Sequence, residues 1–205
     1  MTGAPDIHAC VIGFPITHSR SPRLHTYWLE HYGIHGRYAA ESMPPDGLAE
    51  FLAAIKQGIA DYSGGNATIP HKEALLALAD QADETARILG AANTFWVEHG
   101  ALHVSNTDTY GFLANLDAAV PQWDRPKTDT NRKAVVLGAG GAARAIVFGL
   151  ISRGFSKIVL ANRTLSRAEM LTAHFAAVAN KRNCRLLPLT LEDAEAALGQ
   201  TSLLV

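Results

Sequence analysis

With 205 residues, of which 48% are hydrophobic and 18% charged, the chain has the composition of a globular protein with one large or two small domains. Its formal net charge of -1 gives no excess of positive charge that would attract nucleic acid, and no run of like charges forms a patch that would bind a membrane surface. No apolar stretch is long enough to cross a bilayer, and the N-terminus lacks the charged segment followed by an apolar segment that is typical of a signal peptide. We therefore expect no nucleic-acid partner, no membrane partner and a cytoplasmic location.

The cysteines and histidines give no sign of a disulfide or a metal site. Cys10 and Cys184 are far apart in predicted strands, which fits buried reduced thiols better than a disulfide framework. The nine histidines do not fall at ligand spacings together with Cys, Asp or Glu. Instead, one predicted helix and the residues just after it carry His25, His31 and His35. We therefore expect no bound metal.

The first half of the chain alternates predicted strands and helices, which indicates an α/β layer. In chain order the predictions are a strand at 9–12, a helix from Ser21, a strand at 37–40, a helix from Asp46, a strand at 61–69, a helix starting within 70–72 and a helix at 82–89. A hairpin then joins strands at 94–97 and 101–104, and a further helix covers 110–119.

Local signals set the ends of these helices. Ser21 is predicted to cap the first helix, which Gly33 ends. Asp46 is predicted to cap the second helix, whose apolar stripe extends as far as Ile59. Gly90 ends the helix at 82–89.

A polar, proline-bearing segment at 121–131 separates two predicted domains. We assign residues 1–120 to an N-terminal α/β domain, including a hinge helix at about 108–120. Residues 132–205 are assigned to a nucleotide-binding domain with a partial Rossmann-like parallel sheet.

A glycine-rich turn opens this second domain. Residues 133–137 form an apolar run typical of a buried parallel strand, and the next residues, Gly138-Ala139-Gly140-Gly141, lead into a helix beginning near Ala142. A pyrophosphate can approach the bare backbone there and sit at the positive end of the helix. The predicted contacts in this turn are Gly138, Ala139, Gly140, Gly141 and Ala142.

The next predicted strand indicates which dinucleotide is bound. An NAD site typically has an acidic residue about 20 residues after the glycines, whereas here Asn162, Arg163 and Thr164 follow the strand, with Arg167 one helical turn beyond. Arginines pair with a ribose 2′-phosphate through charge-assisted hydrogen bonds. We therefore predict NADP(H) as the cofactor. The alternative is that Arg163 and Arg167 are solvated charges at a helix start.

Polar side chains also lie at the strand ends of the first domain. Because such ends cluster at one edge of an α/β layer, we expect these side chains to meet one ligand. A polyhydroxylated acid would suit them, with a Lys/Asp pair for proton transfer. Each residue also has an ordinary alternative role as a turn, cap or surface residue. The residues concerned are Ser19, Ser21, Asn66, Thr68, Lys72, Asn93 and Asp108.

At these residues the chain resembles shikimate dehydrogenase. The resemblance rests on four motifs that span nearly the whole chain, namely GFPITHSRSP, NATIPHK, AANT with NTD, and GAGGAAR with NRT. It implies an α/β substrate-binding domain joined to an NADP-binding Rossmann domain. It also implies NADPH-dependent, reversible reduction of 3-dehydroshikimate to shikimate, and it leaves a homodimer open.

The resemblance also implies roles for individual residues. Ser19 and Ser21 would hold the substrate carboxylate. Lys72 and Asp108 would form the catalytic pair. Ring hydroxyls would be met by Asn66, Thr68, Asn93 and Asp108.

Residues 202–205 are predicted to begin a buried strand, and only the first half of a dinucleotide domain precedes them. The sequence is therefore expected to be a truncated piece of an ordinary enzyme, or else a natural short form. Two other functions stay open: a non-catalytic binder of shikimate-like ligands or NADP, and a quinate/shikimate dehydrogenase that prefers NAD. Arg163 and Arg167 argue against the last of these.

Overall fold

A computed structural model describes residues 6–125, 132–199 and 201–205. The chain divides into two compact units, Met1–Thr107 and Asp108–Val205. The predicted linker at 121–131 is described only as far as Arg125, where it forms a turn, and its remaining residues lie outside the described part. The helix that the sequence assigned to the end of the first domain groups with the second unit.

The first unit is built on a six-stranded mixed sheet with the order β2-β1-β3-β5-β6-β4. β1 is parallel to β2 and β3, whereas β5 is antiparallel to both β3 and β6, and β4 is parallel to β6. Its elements are β1 (Ile7–Gly13), α1 (Ser21–His31), β2 (Gly36–Ser42), a 3₁₀ turn (Pro45–Gly47), α2 (Leu48–Lys56), β3 (Gly64–Ala67), α3 (Lys72–Leu78), β4 (Gln81–Ala82), α4 (Glu84–Leu89), β5 (Thr94–Glu98) and β6 (Ala101–Ser105).

The core of this unit follows from the alternation of side chains along β1. Cys10 and Ile12 point to one face of the sheet, where they join a buried cluster that includes Leu52 of α2. Val11 points to the other face and packs with Tyr38 of β2. The central strand is thus buried on both faces, which explains its nearly continuous apolar sequence.

Four details of the predicted elements are wrong. Ser21 does not cap α1 but is its first residue, because the helix begins before Pro22. Asp46 does not cap α2, since a 3₁₀ turn precedes that helix and Gly47 is its N-cap. Ile59 lies outside α2, which ends at Lys56, and its side chain is 74% exposed. The predicted helix at 82–89 is shorter, because residues 81–82 pair with β6 as β4.

The end of α4 and the hairpin agree with the sequence. Gly90 has φ 65°, the left-handed conformation that glycine adopts at least cost, and it closes α4. Asp83 caps the start of the same helix, because its carboxylate accepts a hydrogen bond of 2.6 Å from the Ala86 N–H. β5 and β6 form the predicted antiparallel hairpin.

The second unit has a four-stranded, fully parallel sheet with the order β10-β7-β8-β9. α5 packs beside α6, where the Thr109 hydroxyl donates to the Ala145 carbonyl at 3.1 Å. The predicted Rossmann-like arrangement of parallel strands with intervening helices is confirmed. Its elements are α5 (Asp108–Ala119), β7 (Lys133–Leu137), α6 (Gly141–Ser152), β8 (Lys157–Ala161), α7 (Leu165–Lys181), β9 (Arg185–Leu189), α8 (Leu191–Leu198) and β10 (Leu203–Leu204).

The predicted strand at 202–205 forms only in part. β10 pairs with β7 over two residues, and Leu204 is 52% exposed rather than buried.

Both cysteines are buried and neither is in a disulfide. Burial raises the pKa of the Cys10 thiol to about 12 and that of Cys184 to about 11, and Glu41 adds to the effect at Cys10. Both thiols are therefore uncharged near neutral pH.

Candidate functional site

The sheet of the first unit gathers the predicted polar residues at one edge. β1, β2, β3 and β6 have their carboxyl ends at this edge, and the antiparallel β5 begins there. The loop after β1 carries Ser19 and leads to Ser21, the loop after β3 carries Thr68 and leads to Lys72, and Asn93 immediately precedes β5. The topology thus brings together the substrate-site residues that were predicted in this unit.

The two serines of the first loop have different surroundings. Ser19 is fixed by its backbone N–H, which donates to the Ile16 carbonyl at 2.9 Å. Its hydroxyl then accepts a long hydrogen bond of 3.3 Å from the Ser21 N–H at the start of α1. Ser19, rather than Ser21, therefore provides the side-chain oxygen that contacts the helix start.

Backbone hydrogen bonds hold the loop that carries Lys72. The Thr68 N–H donates to the Ile12 carbonyl at 2.9 Å, and the Phe14 N–H donates to the Ile69 carbonyl at 3.0 Å. On the other side, the Lys72 carbonyl accepts from the Ala92 N–H at 2.8 Å. The start of α3 is thus tied to β1, to the loop after β1 and to the segment before β5.

His71 is a further fixed point in this loop, and it was not among the residues predicted from the sequence. Its side chain is 1% exposed, and its Nε2 lies 2.7 Å from the Met43 carbonyl oxygen. Because that carbonyl can only accept, Nε2 carries the proton and donates. The histidine is adjacent to Lys72 in the sequence, but its partner is distant and could not be foreseen.

The amide of Asn66 is held by three groups. Its Oδ1 accepts from the Tyr38 hydroxyl at 2.7 Å, and its Nδ2 donates to the Thr94 hydroxyl at 3.2 Å and to the Asn93 carbonyl at 3.3 Å. Tyr38 and Thr94 were not among the predicted site residues. A β-branched or aromatic residue inside a strand is ordinarily a packing residue, so the sequence carries no signal for this role.

Asn93 is 8% exposed, and its amide is also engaged. Its Oδ1 accepts from the Thr94 hydroxyl at 2.9 Å and from the Thr107 N–H at 3.1 Å, and its Nδ2 lies 3.2 Å from the Thr107 hydroxyl oxygen. These contacts join the start of β5 to the segment after β6. Asn93 therefore has a structural role at this edge in addition to the predicted contact with substrate.

A cavity of about 550 Å³ lies beside α1 in the same unit. Its walls are mostly apolar, and Asn66 and Thr94 supply polar groups to its lining. Of the predicted substrate residues it is lined by Asn66 but not by Ser19, Ser21, Thr68, Lys72 or Asn93, so this cavity does not bring the predicted site together. Asp108, the remaining predicted residue, is the first residue of α5 and belongs to the second unit.

The glycine-rich turn of the second unit has the geometry of an anion site. Gly138 has φ 106°, which an L-residue rarely adopts, and its N–H donates to the Ala161 carbonyl at 2.7 Å. α6 begins at Gly141 with Gly140 as its N-cap, so no side chain caps its first N–H groups. A side-chain Cβ at Gly140 would meet no protein atom within 4 Å, so the bare backbone here leaves room for a ligand.

Asn162 braces this turn. Its Oδ1 accepts from the Ala139 N–H at 3.2 Å, and its Nδ2 donates to the Thr164 carbonyl at 2.8 Å. The side chain therefore connects the turn after β7 with the turn after β8.

A cavity of about 430 Å³ opens between these two turns. Arg163, Thr164 and Arg167 lie on its lining and are exposed, so their charged and hydroxyl groups are available to an anion. Leu191 at the start of α8 also lines the cavity. Leu191 was not predicted, because no sequence signal marks a leucine at a helix start as a ligand contact. Of the predicted cofactor residues, this cavity brings together Gly138, Asn162, Arg163, Thr164 and Arg167.

Within the described residues, no group of three or more His, Cys, Asp or Glu side chains is placed to hold a metal ion. No helix among the same residues is long and apolar enough to cross a membrane.

Two family models match the chain. The model of the shikimate dehydrogenase substrate binding domain matches residues 11–95, and the model of shikimate / quinate 5-dehydrogenase matches residues 124–202.

Relatives of known function match over almost the whole chain. The shikimate dehydrogenase (NADP(+)) of Rhodopseudomonas palustris strain HaA2 is 50% identical over 96% of the chain, which spans 65% of that relative's length. The enzyme of the same name from strain BisB5 is 48% identical over 100% of the chain and is covered over 67% of its own length. Among solved structures, shikimate 5-dehydrogenase from Thermus thermophilus in complex with NADP(H) and shikimate has a TM-score of 0.75 and 35% sequence identity. That match covers 89% of this chain and 63% of the Thermus chain.

Proposed function

Because this chain belongs to the shikimate dehydrogenase family, we propose that it carries the substrate site and part of the cofactor site of an enzyme that reversibly reduces 3-dehydroshikimate to shikimate with NADPH. The observation that carries this proposal is the gathering of polar side chains from separate loops at one edge of the first sheet. The residues proposed to contact substrate in the first unit are Ser19, Ser21, Asn66, Thr68, Lys72 and Asn93.

The proposed roles follow from the chemistry of each group. The hydroxyls of Ser19 and Ser21 can donate to the substrate carboxylate. Thr68 and the two amides suit the ring hydroxyls, since hydroxyl and amide groups both donate and accept. Asp108, from the second unit, is proposed to act together with Lys72.

The proposed mechanism assigns proton transfer to Lys72. When bound, the reduced nicotinamide supplies the hydride for the carbonyl carbon. Negative charge then develops on the carbonyl oxygen, and the Lys72 ammonium stabilises that charge and donates a proton to the oxygen. In the oxidation direction the Lys72 amine accepts the same proton. The Asp108 carboxylate is proposed to orient the Lys72 side chain.

The second unit is proposed to hold the adenosine phosphates of NADP(H). The uncapped N-terminus of α6 and the bare glycine backbone suit a pyrophosphate. The exposed guanidinium groups of Arg163 and Arg167 suit a 2′-phosphate, with Thr164 as a further donor. The residues proposed to contact cofactor are Gly138, Ala139, Gly140, Gly141, Ala142, Asn162, Arg163, Thr164 and Arg167.

Absorbance of NADPH in the presence of 3-dehydroshikimate tests the activity, with NADH and dehydroquinate as the comparison cofactor and substrate. This chain carries only part of the proposed cofactor site, so we expect it to bind shikimate and 2′,5′-ADP in calorimetry and to show weak turnover or none. NADPH oxidation that depends on 3-dehydroshikimate is expected of a chain that spans the full length of the relatives. Turnover with NADH alone would overturn the cofactor assignment. Binding of shikimate without turnover by either this chain or the longer chain would favour a non-catalytic binder instead.

The location of the protein is part of the same proposal. We propose a location in the cytoplasm, in line with the expectation from sequence, while the sequence leaves a homodimer open. Analytical ultracentrifugation and cell fractionation test these two points.

A further inference from the structure

The hydrogen bonds around Asn66 and Asn93 have a defined direction. The Asn93 carbonyl is only an acceptor, so the group of Asn66 that faces it must be Nδ2. Oδ1 of Asn66 therefore faces Tyr38, and the Tyr38 hydroxyl must be the donor in that 2.7 Å bond.

The series of hydrogen bonds continues from Asn66 through Thr94 in the same direction. Its hydroxyl accepts from Asn66 Nδ2 at 3.2 Å, so its one proton can be donated to Asn93 Oδ1 at 2.9 Å. Asn93 Oδ1 also accepts from the Thr107 N–H, which fixes the same amide orientation independently. Two hydroxyls and two backbone groups thus orient two neighbouring amides.

Tyr38 is held firmly in place as the first donor in this series of hydrogen bonds. Its side chain is 9% exposed and packs with Val11 and Ile16. His25 of α1 stacks on its ring, with centroids 4.0 Å apart and an interplanar angle of 5°. Burial also raises the pKa of Tyr38 above its ordinary value, so the hydroxyl keeps its proton near neutral pH.

We propose that Tyr38 and Thr94 are positioning residues that, together with the Asn93 carbonyl and the Thr107 N–H, hold the amides of Asn66 and Asn93 in one orientation and thereby set which atoms of these amides meet the substrate. This inference rests on the proposed function, in which both amides contact ring hydroxyls of shikimate. Both N–H groups of Asn66 are directed to Thr94 and to the Asn93 carbonyl. Asn66 therefore meets a substrate hydroxyl through Oδ1, as an acceptor.

The Tyr38→Phe variant tests the inference, because it removes only the hydroxyl and keeps the buried ring. Its matched control is Tyr62→Phe, since the Tyr62 hydroxyl also donates to a side chain of the same unit, the Glu41 carboxylate. We expect the affinity for shikimate to weaken about 5-fold in Tyr38→Phe, the effect of one neutral hydrogen bond, and to change less than about 2-fold in Tyr62→Phe. Both proteins can lose thermal stability, so a purely structural role would not separate them.

A second variant and a second measurement keep the test decisive. Thr94→Val breaks the next link and is expected to weaken shikimate binding to a similar extent. Side-chain amide NMR of the ligand-free protein is expected to show faster hydrogen exchange of the Asn66 NH₂ group in Thr94→Val, since one of its two acceptors is gone. In Tyr38→Phe the Asn66 amide resonances are expected to shift, while in Tyr62→Phe they stay in place.

Unchanged Asn66 resonances together with unchanged shikimate affinity in Tyr38→Phe and Thr94→Val would overturn the inference. Failure of the proposed function gives a different result. In that case the wild-type chain binds no shikimate, yet the NMR measurement without ligand still shows whether the two hydroxyls orient the amides.

Discussion

Replacing Asn162 by Ala is expected to weaken the cofactor site as well as the fold. The substitution removes Oδ1, which accepts from the Ala139 N–H at 3.2 Å, and Nδ2, which donates to the Thr164 carbonyl at 2.8 Å. Each neutral hydrogen bond contributes about 1 kcal/mol, and water can replace part of both because the side chain is half-buried. We therefore expect the free energy of unfolding to fall by about 1–2 kcal/mol.

The effect on binding follows from the turn that Asn162 braces. Without the brace, the backbone N–H groups after β7 and the arginine-bearing turn after β8 are no longer held in register, so part of the binding energy is used to order them. We expect the affinity for 2′,5′-ADP to weaken about 10-fold, or about 1.4 kcal/mol. Isothermal titration calorimetry of this chain measures the change directly and requires no turnover.

Two further variants give this prediction its controls. Asn180→Ala makes the same substitution at an exposed position near the C-terminal end of α7, and it is expected to leave affinity for 2′,5′-ADP unchanged. Asn162→Asp keeps an acceptor for the Ala139 N–H but loses the donor to Thr164 and adds a negative charge, so it should bind 2′,5′-ADP more weakly than Asn162→Ala. Wild-type affinity in a folded Asn162→Ala protein would refute the bracing role.

The double variant Arg163→Ala, Arg167→Ala is expected to reduce the preference for 2′,5′-ADP over 5′-ADP about 100-fold, because two charge-assisted hydrogen bonds are lost. Calorimetry measures both affinities. An unchanged preference would show that the two arginines are solvated charges. In a chain that spans the full length of the relatives, Lys72→Ala is expected to remove most of kcat with a smaller change in KM. The control Lys56→Ala removes the 2.6 Å ion pair with Asp80 and is expected to leave kcat unchanged. Near-normal kcat in Lys72→Ala would contradict the catalytic role of Lys72. The hydrogen bond from Lys56, helped by a backbone N–H, holds the pKa of Asp80 below its ordinary value of 3.8. The contribution of the Asp80 carboxylate to the free energy of unfolding is therefore complete above pH 3.8, and it is lost as the pH falls through the lower pKa of Asp80 in the folded protein. Asp80→Asn should therefore make the free energy of unfolding, measured with urea, less dependent on pH on the acid side.

The parts of the fold that the sequence predicted are those with local signals. Gly90 at the end of α4 and Gly138 in the glycine-rich turn have a positive φ, which glycine adopts at little cost. The hairpin of β5 and β6 likewise has its own turn signal. These features were therefore found without knowledge of the rest of the molecule.

The parts that the sequence missed depend on distant partners. β4 has only two residues and exists because it pairs with β6, so no periodicity reveals it. The hydroxyl of Tyr38 and the ring of His71 bind groups 28 residues away. The placement of Lys72 and the serines could be predicted because strand ends meet at a sheet edge, but the groups that fix them in place could not.

The uncharged, buried state of Cys10 and Cys184 makes the chain suitable for site-specific labelling. Maleimides react with thiolates, so the two native thiols should stay unmodified in the folded protein and need not be replaced. Ile59 in the first unit and Met170 in the second are 74% and 71% exposed, so Ile59→Cys and Met170→Cys sacrifice little packing. A donor and an acceptor dye at these positions would report the distance between the two units, with and without ligand, by fluorescence energy transfer.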